Sequence, residues 1–403
     1  MASIVVAGDT SGTVTLAAPA VAGTTTLTLP TTNGTVLTNN SAAVGSNGIT
    51  FSDGSTQAAA ASPFGLKNRI INGDMVIDQR NAGASVTPTN GSFALDRWKF
   101  FVTQTSRLTC QQNAGSVTPP VGFGNYLGVT SSSAYSVGST DYFCFNQPIE
   151  GFNTSDLAWG TANARTVTLS FWVRSSLTGT FGGALNNGAF NRSYPFSYTV
   201  SSANTWTQIS ITIPGDTTGT WVGSTNGIGL NVTFGLGSGS TNSGTAGSWA
   251  SGFLVQPTGT VSVVGTNGAT FYVTGVQLER NTTATPFEWI PYTTELQLCQ
   301  RYFYLLNGAG MAAASTRSTT NCYSPVNFPV DMRTSPSATL LSTSIIAPGD
   351  VGYTVTSMNI FGGTTRTIRL ETAIATASLT LGYAYFLQSG TASTNGISFN
   401  SEL

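Results

Sequence analysis

Apolar and polar residues alternate with a period of two along most of this chain. Arg165-Thr-Val-Thr-Leu-Ser-Phe-Trp-Val-Arg174 places Val167, Leu169, Phe171 and Val173 on one face. Thr205-Trp-Thr-Gln-Ile-Ser-Ile-Thr-Ile213 repeats the pattern. By the same signal, strands are predicted at 74–79, 98–104, 107–112, 126–130, 142–147, 165–173, 194–200, 205–213, 228–234 and 270–278. Many short strands separated by turn residues indicate a sandwich or jelly roll. The Gly/Ser/Thr segment 235–251, whose single aromatic is Trp249, reads as a long loop. Asp156-Leu-Ala-Trp159 reads as one helical turn.

The period changes at Thr293. Leu296, Cys299 and Phe303 follow at three- and four-residue spacing, with Thr293 as N-cap, and predict one helix within 293–306. Strands resume at 337–342, 353–360, 365–371 and 378–387. Before the large β region, residues 1–62 show only short Thr-rich alternations: Thr13-Val-Thr-Leu16, Thr25-Thr-Leu-Thr-Leu29 and Gly34-Thr-Val-Leu37. Asn33-Gly34 and Asp53-Gly54 supply turns, and Phe51 is the one aromatic of this stretch. Such strands bury little surface alone, so they are expected to pair with copies of themselves or with a partner. The expected fold class is therefore all-β in three parts. Residues 1–62 form a short N-terminal attachment and oligomerisation arm, and 63–292 form a jelly-roll β-sandwich. Residues 293–403 form a short helix and a smaller C-terminal β-sandwich.

Composition narrows the chemistry. Of 403 residues 40% are hydrophobic, enough for real cores, and only 8% are charged. Thr, Ser, Asn and 46 Gly stand where charges usually do, a palette suited to strands and tight turns. With 15 basic and 16 acidic residues and no basic run, nucleic-acid binding has no electrostatic footing. The apolar runs are too short for a membrane helix, and Met1-Ala-Ser-Ile-Val-Val-Ala-Gly-Asp9 lacks the layout of a secretory signal. The chain has no histidine, which removes the commonest general base and metal ligand. The four cysteines, Cys110, Cys144, Cys299 and Cys322, form no CxxC pair and are expected as buried thiols.

The segments that open and close the large β region carry a resemblance. Asn68-Arg-Ile-Ile-Asn-Gly-Asp-Met75, Asp96-Arg97-Trp98, Gln147-Pro-Ile-Glu150, Ser170-Phe-Trp-Val-Arg174 and Val273-Thr-Gly-Val-Gln-Leu-Glu279 occur in order. Pro286-Phe-Glu-Trp289 and Cys299-Gln-Arg-Tyr-Phe303 follow. The series resembles the carbohydrate-binding-like jelly-roll module of bacteriophage tail-fibre and virion-fibre proteins. Gly48-Ile-Thr-Phe-Ser-Asp-Gly-Ser-Thr-Gln57 is similar to a hairpin near the shaft-to-head junction of trimeric fibres, and 328–336 to the start of a C-terminal β domain in the same proteins. The resemblance implies a homotrimeric virion component, assembled in the host cytoplasm. Residues 1–62 would join it to another virion protein, and the sandwich would meet a host-surface glycan. A capsid decoration or head-fibre protein and a glycan-cleaving depolymerase are the rival readings, the second disfavoured; a non-enzyme is expected.

Sugars are bound by aromatic faces and neutral hydrogen-bonding groups. Trp249 and Trp221, in or beside Gly-rich connections, are the first candidates for ligand contact, followed by Tyr194 and Tyr135. Trp98, Trp172, Trp206 and Trp289 are expected in the core. No cofactor is called for. Asp96, Asp141, Glu150, Glu279 and Glu288 are the carboxylates that a structural calcium would need. The competing expectation for them is ion pairing, of Asp96 with Arg97 or Arg174 and of Glu279 with Arg280.

Overall fold

The structure is a computed structural model. It describes residues 67–347, 351–392 and 394–403, together with the backbone of four short strands earlier in the chain. Contacts divide the chain into Met1–Gly65 and Leu66–Leu403. In the first unit Ser3–Ala7 pairs antiparallel with Thr13–Ala17, and Ile49–Thr50 with Thr56–Gln57. The strand foreseen at Thr13 and the pairing foreseen within 48–57 are therefore present. The alternations at 25–29 and 34–37 lie outside the described residues.

The second unit is built almost wholly of strands. Seven stand in one sheet in the order Ala250–Ser251, Arg192–Val200, Gly179–Asn186, Ile228–Ser238, Tyr142–Glu150, Trp98–Val102 and Phe93–Leu95. Five stand in the other: Thr207–Ile213, Val167–Ser175, Thr270–Glu279, Leu127–Ser131 and Leu108–Gln112. All pairs within the two sheets are antiparallel. Alternation sends every second side chain into the space between them. Phe145 and Phe234 stack there with ring centroids 5.1 Å apart, and Phe171 meets Phe234 edge-on at 5.0 Å. Each fully buried ring of this kind contributes on the order of 2–3 kcal/mol of transfer free energy.

Several sequence expectations change. No ladder forms at 74–79. Side chains replace the missing neighbour strand. Asn72 takes up both backbone groups of Ile77, the Asp96 carboxylate accepts from the Gln79 amide, and Gln112 donates to the Met75 carbonyl. The strand Gly179–Asn186 was not foreseen, because Gly182 and Gly183 mask its pattern. An added Cβ on Gly183 would lie 2.1 Å from the Thr233 carbonyl oxygen, so the neighbouring strand leaves no room for one. The 235–251 loop begins later than expected, since Ile228–Ser238 runs on through its first residues. Trp98 is fully buried, but Trp289 is 54% exposed and is no core residue.

The helix is shorter than expected. It spans Tyr292–Gln300, with Pro291 in the cap position instead of Thr293, and Phe303–Leu306 is already a strand. The smaller C-terminal β part closes into a ring of six strands: Ala312–Thr316, Asn321–Asn327, Thr367–Ile374, Val351–Gly363, Ser344–Ala347 and Ala384–Gln388. A separate three-stranded sheet joins Phe303–Leu306, Gly396–Asn400 and Ser337–Ser342. No helix among the described residues is long and apolar enough to cross a membrane.

The junction between sandwich and C-terminal part is ionic, in a chain with few ions. Arg97, 1% exposed, pairs with Glu402 and lies over the Tyr302 ring at 3.5 Å. Arg80 reaches the other carboxylate oxygen of Glu402 at 2.7 Å and covers the Phe303 ring at 3.8 Å. Arg301 grips Glu150 with two bonds of 3.0 and 3.1 Å. Arg333 holds the carbonyls of Ser401 and Glu402, and Lys99 that of Leu403. Residues 401–403 are thus drawn in from several sides.

Two carboxylates at this junction are buried without a cation of their own. Burial pushes Asp96 up to about 7, against the pull of Arg80 and the Gln79 donors. Burial likewise pushes Glu295 up to about 7, although the Asn72 amide donates to it. A carboxyl raised in the folded state holds its proton to higher pH there than in the unfolded chain. Its contribution is therefore most favourable at acid pH, declines as pH rises from the ordinary carboxylate value towards the folded one, and is lost above it. The melting temperature should fall between about pH 4.5 and about pH 7 and level off above that, and Glu295→Gln should flatten part of that fall. A wild-type melting temperature that rises over this window in thermal scans would contradict the assignment.

Candidate functional site

Three loops and one strand converge at one edge of the sandwich. Trp159 follows the turn Ser155–Leu157, on a loop whose Ala158 has φ +52°. Trp221 and Trp249 come from the connections on either side of the strand Ile228–Ser238, and Tyr194 stands on Arg192–Val200. The rings form one cluster. Trp159 lies 4.8 Å from Trp221 and 5.3 Å from Trp249, Trp221 lies 5.4 Å from Trp249, and Tyr194 lies 5.2 Å from Trp249. Trp159 and Tyr194 are buried, while Trp221 and Trp249 are half-buried and present part of their surface to solvent.

An ion pair between half-buried Arg192 and buried Asp216 ties these segments together. Arg192 grips Asp216 through Nε at 2.6 Å and Nη2 at 2.8 Å. Asp216 also accepts from the Thr218 amide, and its carbonyl accepts from the Gly160 amide at 2.7 Å. Burial alone would raise the Asp216 carboxyl, but the hydrogen bonds from Arg192 and Thr218 and the Arg192 charge together outweigh it and hold it below the usual carboxylate range. The indole N–H groups are spent inside the protein. Trp159 donates to the Arg165 carbonyl, Trp249 to the Pro214 carbonyl, and Trp221 to Asp216 and the Thr218 carbonyl. What remains for a ligand is ring surface. A small cavity of about 60 Å³ adjoins it, lined by Thr154, Leu157, Trp159, Trp221, Gly229 and Leu230 among others.

Of the four residues singled out in the sequence, three meet here: Trp249, Trp221 and Tyr194. Tyr135 does not. It packs on Phe143, lies under Arg107 at 4.5 Å and donates to Asp141 at 2.8 Å. Trp159 was missed because its segment read as a helical turn; the Gly160 that follows, at φ +81°, was the available signal for a loop. A second aromatic group was also missed. Exposed Trp289 packs at a tilt on Phe123 at 4.8 Å and edge-on against Phe287 at 4.9 Å.

The carboxylates considered for calcium are each committed elsewhere. Asp96 accepts from Gln79, Asp141 from Thr103 and Tyr135, Glu150 from Arg301, Glu279 from Gln277 and Thr285, and Glu288 from the Asn68 amide. The expected pairs of Asp96 with Arg97 or Arg174 and of Glu279 with Arg280 do not form. Arg97 turns to Glu402, Arg174 to the Asn204 carbonyl and Arg280 to Asp156. Among the described residues no three Cys, Asp or Glu gather as a metal site. All four cysteines are free and buried.

No protein-family model and no curated protein matches the chain. Solved structures align with part of it at low similarity. The tailspike protein 4 enzymatically active domain of bacteriophage CBA120 is similar at 13% identity and TM-score 0.29, over 53% of this chain and 21% of that one. The alignment thus spans about a fifth of that structure. A structure described as "CBM4 structure and function" is similar at 15% identity and TM-score 0.26, over 52% and 98% of the two chains. A family 11 carbohydrate-binding module of Clostridium thermocellum, in complex with a mixed-linked tetrasaccharide, is similar at 11% identity and TM-score 0.26, over 48% and 95%.

If Arg192 and Asp216 hold the tryptophan loops together, Asp216→Asn should cost about 2–3 kcal/mol, less than a fully buried pair because Arg192 is partly solvated. Tryptophan emission should shift to the red as the cluster loosens. Unchanged emission and stability would contradict the role.

Proposed function

We propose that this chain is a non-catalytic structural protein of a bacteriophage virion, of the tail-fibre type, whose sandwich binds a host-surface glycan at the Trp159–Trp221–Trp249–Tyr194 cluster. The observation that carries the reading is the convergence of three indoles and a phenol at one sandwich edge, partly open to solvent and fixed by the Arg192–Asp216 pair. Saccharide C–H faces pack on aromatic rings, and neutral hydroxyls around them supply orientation. Ser, Thr and Asn of the 217–226 connection offer such groups beside Trp221. With few charges nearby, the favoured ligand at this edge is a neutral glycan.

Binding at one such edge is weak, and avidity from several copies makes it useful. The homotrimer and the attachment of residues 1–62 to another virion protein belong to this reading. They rest on the resemblance carried by the ordered motifs of 66–303 and on the expectation, from its Thr-rich and nearly aromatic-free sequence, that the arm buries little by itself. The protein would then be located on the virion.

Glycan-array binding of the full chain tests the site. Trp221→Ala should weaken binding to any neutral glycan retained by the wild type by roughly tenfold while leaving melting within a few degrees. Trp289→Ala should leave that binding unchanged. Loss with Trp289→Ala and retention with Trp221→Ala would move the site to the other aromatic group. Absence of any glycan binding would overturn the reading.

A further inference from the structure

The outer face of the C-terminal ring carries an arrangement of cations and rings that the reading above does not use. Along Thr367–Ile374, Ile368, Leu370, Thr372 and Ile374 point into the ring, and Thr367, Arg369 and Glu371 point out. Tyr323 stands opposite Glu371, and Gly362 opposite Arg369. The Tyr323 and Phe361 rings lie 5.4 Å apart. Arg369 rests on both, its guanidinium carbon 4.3 Å from the Phe361 centroid and 4.8 Å from that of Tyr323. Arg317 lies 5.2 Å from the Tyr323 ring.

The neighbouring cations stand in contact ion pairs and Arg369 does not, although its charge is felt by Glu371, whose carboxyl is held low first by Arg317 and Asn321 and in smaller part by Arg369. Arg317 pairs with Glu371, and Arg366 with Asp331 at 2.7 Å. Arg369 has no ion pair among the described residues. It borders an open cleft of about 320 Å³, lined by Pro325, Gly362, Gly363, Thr367, Ile368 and Arg369. One wall is bare backbone of necessity. An added Cβ on Gly363 would lie 2.5 Å from the Ile368 side chain and 2.7 Å from its Cα. Phe361, 51% exposed, stands at the same edge.

A guanidinium held against aromatic rings by cation–π contact still has N–H donors to offer and loses little entropy on engaging an oxyanion. A carboxylate or phosphate is the group that fits two parallel N–H donors. The cleft has room for one sugar ring beside those donors, with the Thr367 hydroxyl and Pro325 within its lining. We propose that this cleft binds an anionic saccharide, its carboxylate or phosphate on Arg369 and its ring against Gly362, Gly363 and Pro325. The site is separate from the tryptophan cluster and does not depend on that cluster's binding anything.

The test is calorimetric titration of the full chain at low salt with three polymers: polygalacturonate for carboxylate, a phosphomannan for phosphate, and dextran as neutral control. Saturable binding to one or both anionic polymers and none to dextran is expected at this site, and the stronger of the two identifies the oxyanion. Arg369→Gln should weaken that binding roughly tenfold to a hundredfold, the scale of a lost charge-assisted pair. Arg369→Lys should weaken it less, since charge survives without the fork. Phe361→Leu should weaken it by removing the platform. Arg366→Gln removes the same charge from the same face outside the cleft and should change binding less than threefold on the same reasoning. Equal losses in the Arg369 and Arg366 variants, or no binding to either anionic polymer, would overturn the proposal.

Discussion

The second unit depends on one buried carboxylate. Glu402 sits between Arg80 and Arg97, two arginines carried by the opening segment of the sandwich, while its backbone belongs to the tail of the C-terminal part. Its side chain is 4% exposed and that of Arg97 is 1% exposed, so neither charge is relieved by water. A buried ion pair adds little net stability over an apolar pair, but removing one partner leaves the other stranded, at a cost of about 3–5 kcal/mol. The interaction therefore acts as a specification. It permits one seating of residues 401–403, and the stacking of Arg97 on Tyr302 and Arg80 on Phe303 continues that seating through the segment after the helix.

Around that point the chain uses side-chain amides where a simpler sandwich would use another strand. Asn68 bonds to the Leu278 amide and the Val276 carbonyl, and Gln147 takes both backbone groups of Ile71. Gln277 accepts from the Glu288 amide. Asn72, at φ +59°, bridges Ile77 and Asp96, and its carbonyl receives the Trp98 indole N–H. Gly73 is required for close approach, since an added Cβ would lie 2.2 Å from the Val276 carbonyl oxygen. A buried backbone group must find a partner, and here short polar side chains provide it where the ladder stops. This gives the ordered motifs of the sequence a physical content: they are the joints of the unit.

What was legible in the sequence follows from the same division. Strands with clean alternation, such as Val167–Ser175 and Thr207–Ile213, were visible because apolar residues take every second position, although Thr168 and Ser170 on the polar face of the first are buried as well. Gly179–Asn186 was invisible, because glycines stand where packing leaves no room for a side chain. The 74–79 segment looked like a strand and is not one, since its partners are side chains distant in sequence. Within the candidate site, Trp221 and Trp249 were legible as aromatics in or beside Gly-rich connections, and Tyr194 as one at a loop edge. Their meeting with Trp159 was not, because the Arg192–Asp216 pair that brings the loops together joins residues with no local pattern. Arg369 was equally silent, since its lack of an ion pair is a property of its neighbours in space.

The two surfaces described above rest on a frame that must not yield under them: rings at the sandwich edge, and a guanidinium on rings at the C-terminal ring of strands. The frame is most directly tested by differential scanning calorimetry of the full chain with Glu402→Ala. The account predicts that the substitution lowers the stability of the 66–403 unit by about 3–5 kcal/mol and separates the melting of the C-terminal part from that of the sandwich. A variant that melts within about 0.5 kcal/mol of the wild type, with its transitions unchanged, would show that Glu402 does not hold the two parts together.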